Sequence, residues 1–135
     1  MKDEFLFVYG TLRRATRSEM YHVLARHAEL VGEATYQGKL YNVDYYPGVV
    51  PSDDPADAVQ GEVYRLRNAR VVLSRLDQYE ECGHGFPEPT EFVREIQKVH
   101  VRGGETVPAW IYLYNRTTAN LELVQSGDFL DVQSH

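Results

Sequence analysis

Residues 5–14 of the chain are FLFVYGTLRR, Phe5 to Arg14. The apolar and aromatic run that ends at a glycine predicts a buried strand over Phe5–Tyr9. Gly10, directly after it, lets the backbone take positive φ and come close to a ligand with no side chain in the way. Successive amides of Gly10, Thr11 and Leu12 can then point at one spot, an arrangement that binds a carboxylate or a developing oxyanion. An ordinary tight turn is the competing reading. The stretch carries neither the GxxxxGK[ST] of a phosphate loop nor the GxGxxG of a dinucleotide fold. Arg13 and Arg14 either add positive field beside the turn or are solvated surface residues.

Outward from this turn, Ser18 to Ala25 has the spacing of a short amphipathic helix. From Glu29 to Leu66, β-branched and aromatic residues are cut by Gly32, Gly38, Pro47-Gly48 and Pro51, which predicts several short strands joined by tight turns. GEVYRL, Gly61 to Leu66, is the clearest of them. After Asn68, an N-cap residue, ARVVLSRLDQYE changes period and predicts a helix. Cys82 to Pro89 has the Gly and Pro content of a loop. Glu91–Arg102 and Glu105–Asn115 follow as two long strands, with Gly103-Gly104 as a two-residue hairpin turn. A short helix is expected within Thr117–His135. Many short strands, one strong helix and glycine-marked turns give an α+β class: a small, mostly antiparallel sheet that curls toward a β-barrel with helices packed outside.

The chain has 135 residues, 43% of them hydrophobic and 25% charged, an ordinary balance for one folded domain over residues 1–135. Twenty acids against 14 bases give a net charge of −6, and no Lys/Arg run follows a phosphate backbone, so nucleic acid is not expected as a partner. No stretch approaches the ~20 apolar residues of a membrane span. Lys2-Asp3-Glu4 places two acids ahead of a short apolar run, unlike a signal peptide, and a cytoplasmic location is expected. The single cysteine, Cys82, cannot form an internal disulfide, and the five histidines lack metal-ligand spacing, so no metal site is expected. A nucleophile built on Cys82 and His84 lacks an evident orienting group.

At about 100° per residue, Ala69, Val72, Leu73 and Leu76 form the apolar stripe of the strong helix. Arg70, Ser74, Arg75, Gln78 and Glu81 fall on the far side or near the edge, Asp77 sits at the stripe's margin, and Glu80 lands inside the stripe. A carboxylate on a core-facing side is costly unless it is hydrogen-bonded. Burial and a position at a helix C-terminus both push a carboxyl pKa up, which suits general acid–base catalysis near neutral pH. The alternative is a helix that ends a residue or two earlier, leaving Glu80 in solvent or capping a neighbouring amide. Tyr112 and Tyr114 share a strand face, where they wall a pocket or, as aromatics on central strands usually do, serve the core.

FVYGTLRR, followed at Leu76 by LDQYEE, resembles the gamma-glutamylcyclotransferase-like family. GKLYN from Gly38, YPG at Tyr46–Gly48, GEVYRL from Gly61, Trp110-Ile111-Tyr112 and SGDF from Ser126 match in order, so the resemblance covers nearly the whole chain. It implies a small mixed barrel, Tyr9, Gly10, Thr11 and Leu12 as a substrate cradle, and Glu80 as acid–base catalyst. The implied partner is a small gamma-glutamyl amide, cleaved to 5-oxoproline without cofactor or metal. The chain departs from the family pattern at Phe92-Val93-Arg94, where relatives often have Y-x-R, and at Phe129, where many have tryptophan; both put side-chain selectivity in doubt, and the loop Cys82–Thr90 is where such selectivity is expected to lie. Two alternatives stay open: a binding module of the same fold without turnover, and a related enzyme acting on an antibiotic, polyamine or crosslink conjugate.

Overall fold

The FLFV run forms β1 (Glu4–Val8), one residue earlier at each end than the sequence pattern predicts, because its ladder with the GEVYRL strand ends at Val8↔Glu62. The computed structural model describes residues 3–10, 19–43, 46–79 and 90–129. Within them the chain continues through α1 (Glu19–His27), β2 (Ala28–Tyr36), β3 (Gly38–Asn42), β4 (Pro47–Pro51), β5 (Val59–Leu66), α2 (Ala69–Tyr79), β6 (Phe92–Val101), β7 (Thr106–Tyr114) and β8 (Glu122–Leu123). The expected loop Cys82–Pro89 lies outside the described residues. The described part of the tail contributes β8, and the rest of the stretch in which a short helix is expected, residues 130–135, lies outside the described residues.

Five strands close a barrel in the order β1-β5-β2-β6-β7. Every neighbouring pair is antiparallel except the closing one, β1 with β7, which is parallel at Leu6↔Trp110. The barrel is therefore mostly antiparallel, as the turn pattern implies, and mixed, as the family resemblance implies. β4, β3 and β8 form a separate three-stranded sheet, which the strand pattern alone does not separate from the barrel. In β2 the register shifts between Leu30 and Gly32, a bulge that bends the strand.

Period-two alternation sorts the side chains into two cores. Phe7, Val59, Val63, Val99, Ile111 and Leu113 fill the barrel. Leu6, Val8, Tyr64 and Tyr112 point outward and are covered by Leu24 of α1 and by Val72, Leu73 and Leu76 of α2. The stripe of α2 is thus the one its periodicity predicts. Each such buried aliphatic side chain contributes roughly 1.5–3 kcal/mol of transfer free energy. This burial, rather than helix propensity, holds an 11-residue helix in place.

The β6–β7 connection differs from expectation. Gly104 N–H donates to Val101 C=O at 3.1 Å and Val101 N–H donates to Glu105 C=O at 2.7 Å, so the loop is Arg102–Gly104 rather than two glycines. Gly103 and Gly104 have φ of 100° and 140°. A three-residue loop ending in a bulged glycine suits the right-handed twist of the flanking strands. In the tail, Gly127 has φ of 72° and a Cβ there would lie 2.0 Å from Ala58 O, so the SGDF segment passes flat against the start of β5.

Two outcomes follow from the barrel interior. At Gly61 a Cβ would lie 2.3 Å from Val8 O and 2.6 Å from Phe7 Cζ. Gly61→Ala should lower stability by about 1–3 kcal/mol, as overpacking does, seen as a lower urea midpoint at unchanged slope. Tyr36, whose hydroxyl lies 3.3 Å from Gln97 Oε1, has its phenol pushed above the ordinary value of 10.0, by burial first and by Glu95 second. A phenol raised in the folded state contributes stability that is complete below the unfolded value and is lost as pH rises towards the folded one. The stability difference between wild type and Tyr36→Phe should therefore be flat below pH 10.0 and move against wild type above it.

Candidate functional site

Tyr9 leaves the end of β1 buried, and its hydroxyl donates to the main-chain carbonyl of Tyr112 on β7 at 2.5 Å. Gly10 comes next, and its role differs from the sequence expectation. It does not sit in the left-handed region; instead, a Cβ there would lie 2.7 Å from Pro47 Cγ. Glycine is needed for the close approach of β4, not for a positive φ. A Cβ on Gly48 would in turn lie 3.0 Å from the Tyr114 side chain. Pro47-Gly48 is thus wedged between the end of β1 and the end of β7. Thr11, Leu12, Arg13 and Arg14 lie outside the described residues.

Aromatic rings line this end of the barrel. Phe92 packs edge-on to Tyr114 at 5.7 Å between centroids, and Tyr46 lies 6.2 Å from Phe92. Tyr46 hydroxyl also bonds Glu91. Thr90 Oγ1 donates to Phe92 C=O at 2.7 Å, and Asn115 Nδ2 donates to Thr90 C=O at 3.1 Å, which ties off the open ends of β6 and β7.

The last turns of α2 dock here through Asp77. Arg94 of β6 donates from Nε to Oδ1 at 2.7 Å and from a terminal nitrogen to Oδ2 at 2.9 Å, a two-pronged ion pair about one-quarter exposed. Tyr112 hydroxyl donates to the same Oδ1 at 2.7 Å. The guanidinium of Arg94 stacks over Trp110 at 4.3 Å, and Trp110 Nε1 donates to Glu4 at 3.2 Å. Glu80, three residues beyond Asp77, lies outside the described residues, as do Cys82 and His84.

The structure therefore joins Tyr9 with Tyr112 and sets Gly10 against Pro47. Tyr112 belongs to the outer core and turns its hydroxyl to the helix, in keeping with the core reading of that strand face. Sequence reasoning understated Asp77, placed at the stripe's margin, and treated Arg94 only as a departure from a family pattern. It passed over Glu62, which is 5% exposed on the helix-facing side of β5 with the Tyr64 hydroxyl 3.2 Å from its carboxylate. The signal was available: in GEVYRL, Glu62 shares a face with Tyr64 and Leu66, an acid among core positions. A cleft of about 600 Å³ is lined by Tyr36, Gln37, Lys98 and His100 among others. No carboxylate stands among its described lining residues, so it offers no acid–base group of the kind sought. Among the described residues no helix is long and apolar enough to cross a membrane.

Comparison with known proteins bears on this arrangement. A family model described as gamma-glutamyl cyclotransferase, AIG2-like, matches residues 6–131. The gamma-glutamylcyclotransferase family protein YtfP of Escherichia coli K12 is 34% identical over 127 residues, covering 93% of this chain and 96% of the relative. The solution structure of ytfP from Escherichia coli superposes with a TM-score of 0.63 at 33% identity, covering 96% of this chain and 98% of that one. A protein of Niallia circulans named gamma-L-glutamyl-butirosin B gamma-glutamyl cyclotransferase is 32% identical over 115 residues, 82% of this chain and 67% of its own.

Replacing Asp77 by alanine removes the acceptor of both Arg94 and Tyr112. Buried groups that lose a charged partner typically cost 3–5 kcal/mol, and partial exposure here reduces that to about 1–3 kcal/mol for Asp77→Ala. Chemical denaturation should show that loss.

Proposed function

Because the chain belongs to the gamma-glutamyl cyclotransferase, AIG2-like family, we propose that it cleaves a gamma-glutamyl amide by attack of the substrate's own α-amine on its γ-carbonyl carbon. The new C–N bond closes the five-membered lactam 5-oxoproline, the original amide C–N bond breaks, and the departing amine leaves with a proton. Nucleophile and electrophile belong to one molecule, so the protein chiefly has to hold the substrate folded. Effective molarities for well-oriented internal reactions reach about 10⁵–10⁸ M. The reaction as written needs no cofactor.

In this reading Glu80 takes a proton from the substrate ammonium, freeing the nucleophile, and returns one to the leaving amine. Main-chain amides of Gly10, Thr11 and Leu12 hold the α-carboxylate or the oxygen of the tetrahedral intermediate, the role of a preorganised donor set. The observation that supports it is the convergence on β7: Tyr9, next to Gly10, and Asp77, three residues before Glu80 in the chain, are both bonded to Tyr112. That gives the end of β1 and the last turn of α2 a common anchor. The name of the Niallia circulans relative favours a second reading of the leaving group, an antibiotic-type conjugated amine.

Incubation with gamma-glutamyl amino acids, gamma-glutamyl amines and gamma-glutamyl-ε-lysine, followed by mass spectrometry of 5-oxoproline, tests the reaction. Glu80→Gln should fold as wild type and lose about 10²–10⁴-fold in kcat, the usual contribution of a general acid–base group. Full activity in that variant would remove Glu80 from the mechanism. A wild-type chain that forms no 5-oxoproline from any of these would leave a binding module of the same fold.

A further inference from the structure

Tyr112 is bonded from two different atoms to the two elements that the proposed reaction needs. Its side-chain hydroxyl donates to Asp77 of α2 at 2.7 Å, and its main-chain carbonyl accepts the Tyr9 hydroxyl at 2.5 Å. Asp77 is held in turn by both prongs of Arg94, which is itself stacked on Trp110. The carboxylate therefore cannot rotate without losing several directional bonds together. Tyr112 is only 4% exposed, so its ring is committed to the core and its tip to a carboxylate. Packing alone would need no hydroxyl there, and a partly buried acid on α2 carries a desolvation cost that packing does not require.

We infer that Tyr112, Asp77 and Tyr9 are positioning residues: through Tyr112 they fix the separation between the main chain that follows Tyr9 and the end of α2, and so between cradle and acid–base group. This rests on the reading in which Gly10–Leu12 hold the substrate and Glu80 moves the proton. An internal cyclisation is sensitive to such a separation, since a misplacement of about 1 Å can cost about 10²-fold in rate.

The bonds can be cut one at a time. Tyr112→Phe removes the hydroxyl that bonds Asp77 and keeps the carbonyl that receives Tyr9. Tyr9→Phe removes the hydroxyl bonded to that carbonyl, and Asp77→Asn keeps the shape of the acid while removing its charge. Each variant, checked for a wild-type circular dichroism spectrum, is assayed for 5-oxoproline beside wild type and Glu80→Gln. Tyr112→Phe and Asp77→Asn should each lower kcat by about 10-fold to 10²-fold with KM held within about two-fold. The double variant should lose less than the product of the two single losses, because both changes act on the same Tyr112–Asp77 contact. Tyr9→Phe should lower kcat/KM by about 10-fold on the same argument. If Tyr112→Phe does not fold, Asp77→Asn and Tyr9→Phe make the same discrimination. Unchanged kcat in these variants, with Glu80→Gln inactive, overturns the positioning role and leaves the acid–base reading intact. A rise in KM alone for Tyr112→Phe also overturns it, making the residue a pocket wall. No product from wild type overturns the reaction and the positioning role together.

Discussion

Asp77 accepts hydrogen bonds from Arg94 and Tyr112, groups on two strands remote from it in the chain, and the placement of α2 depends on them. Val72, Leu73 and Leu76 bury the helix against the barrel, but apolar burial is non-directional and leaves sliding and rotation along the surface lightly opposed. A guanidinium fork on a carboxylate is directional, and the phenol of Tyr112 adds a second direction. The helix is thus stabilised by its apolar stripe and oriented by its acid. Partial burial strengthens the ion pair while keeping its desolvation cost moderate.

The same end of the barrel shows why the short motifs lie where they do. Pro47-Gly48 is pressed between Gly10 and Tyr114, leaving no room for a Cβ at either glycine. Gly61 lies beneath the Phe7 ring and against the carbonyl of Val8, so β1 and β5 approach more closely than a side chain permits. Both contacts act on the segment that leads into the opening turn. The small β4-β3-β8 sheet supplies the first of them, and Gly127 fastens the tail beside it to the start of β5. The chemistry proposed for this fold asks for few reacting groups and for a firm frame around them, and these close approaches provide the frame.

Much of the fold was legible in residue order. The buried run of β1, the helical stripe Val72-Leu73-Leu76 and the two long strands β6 and β7 are written in local periodicity, which depends only on near neighbours. The class of the barrel followed from many short strands and glycine-marked turns. The β6–β7 turn was misread by one residue because two adjacent glycines look the same whether they form the turn or one of them is a bulge beside it. The separation of β3, β4 and β8 from the barrel was not legible at all, since strand partnership is settled by contacts between distant segments.

The candidate site divides along the same line. Gly10, Thr11, Leu12 and Glu80 stand out from local pattern, a glycine at a strand end and an acid falling on a helical stripe, whereas Tyr9 joins them only through the family resemblance. The reason for Gly10 came only from the fold, in the ring of Pro47. Asp77 and Arg94 look like ordinary surface charges until β6 is laid beside α2, because a charge reveals its function through its partner, and the partner is 17 residues away in one case and 35 in the other. Sequence by itself determined which elements form and which faces they bury, since those follow from spacing along one segment. Tertiary structure alone decided which ends meet, because closing a barrel brings together side chains that no local period relates.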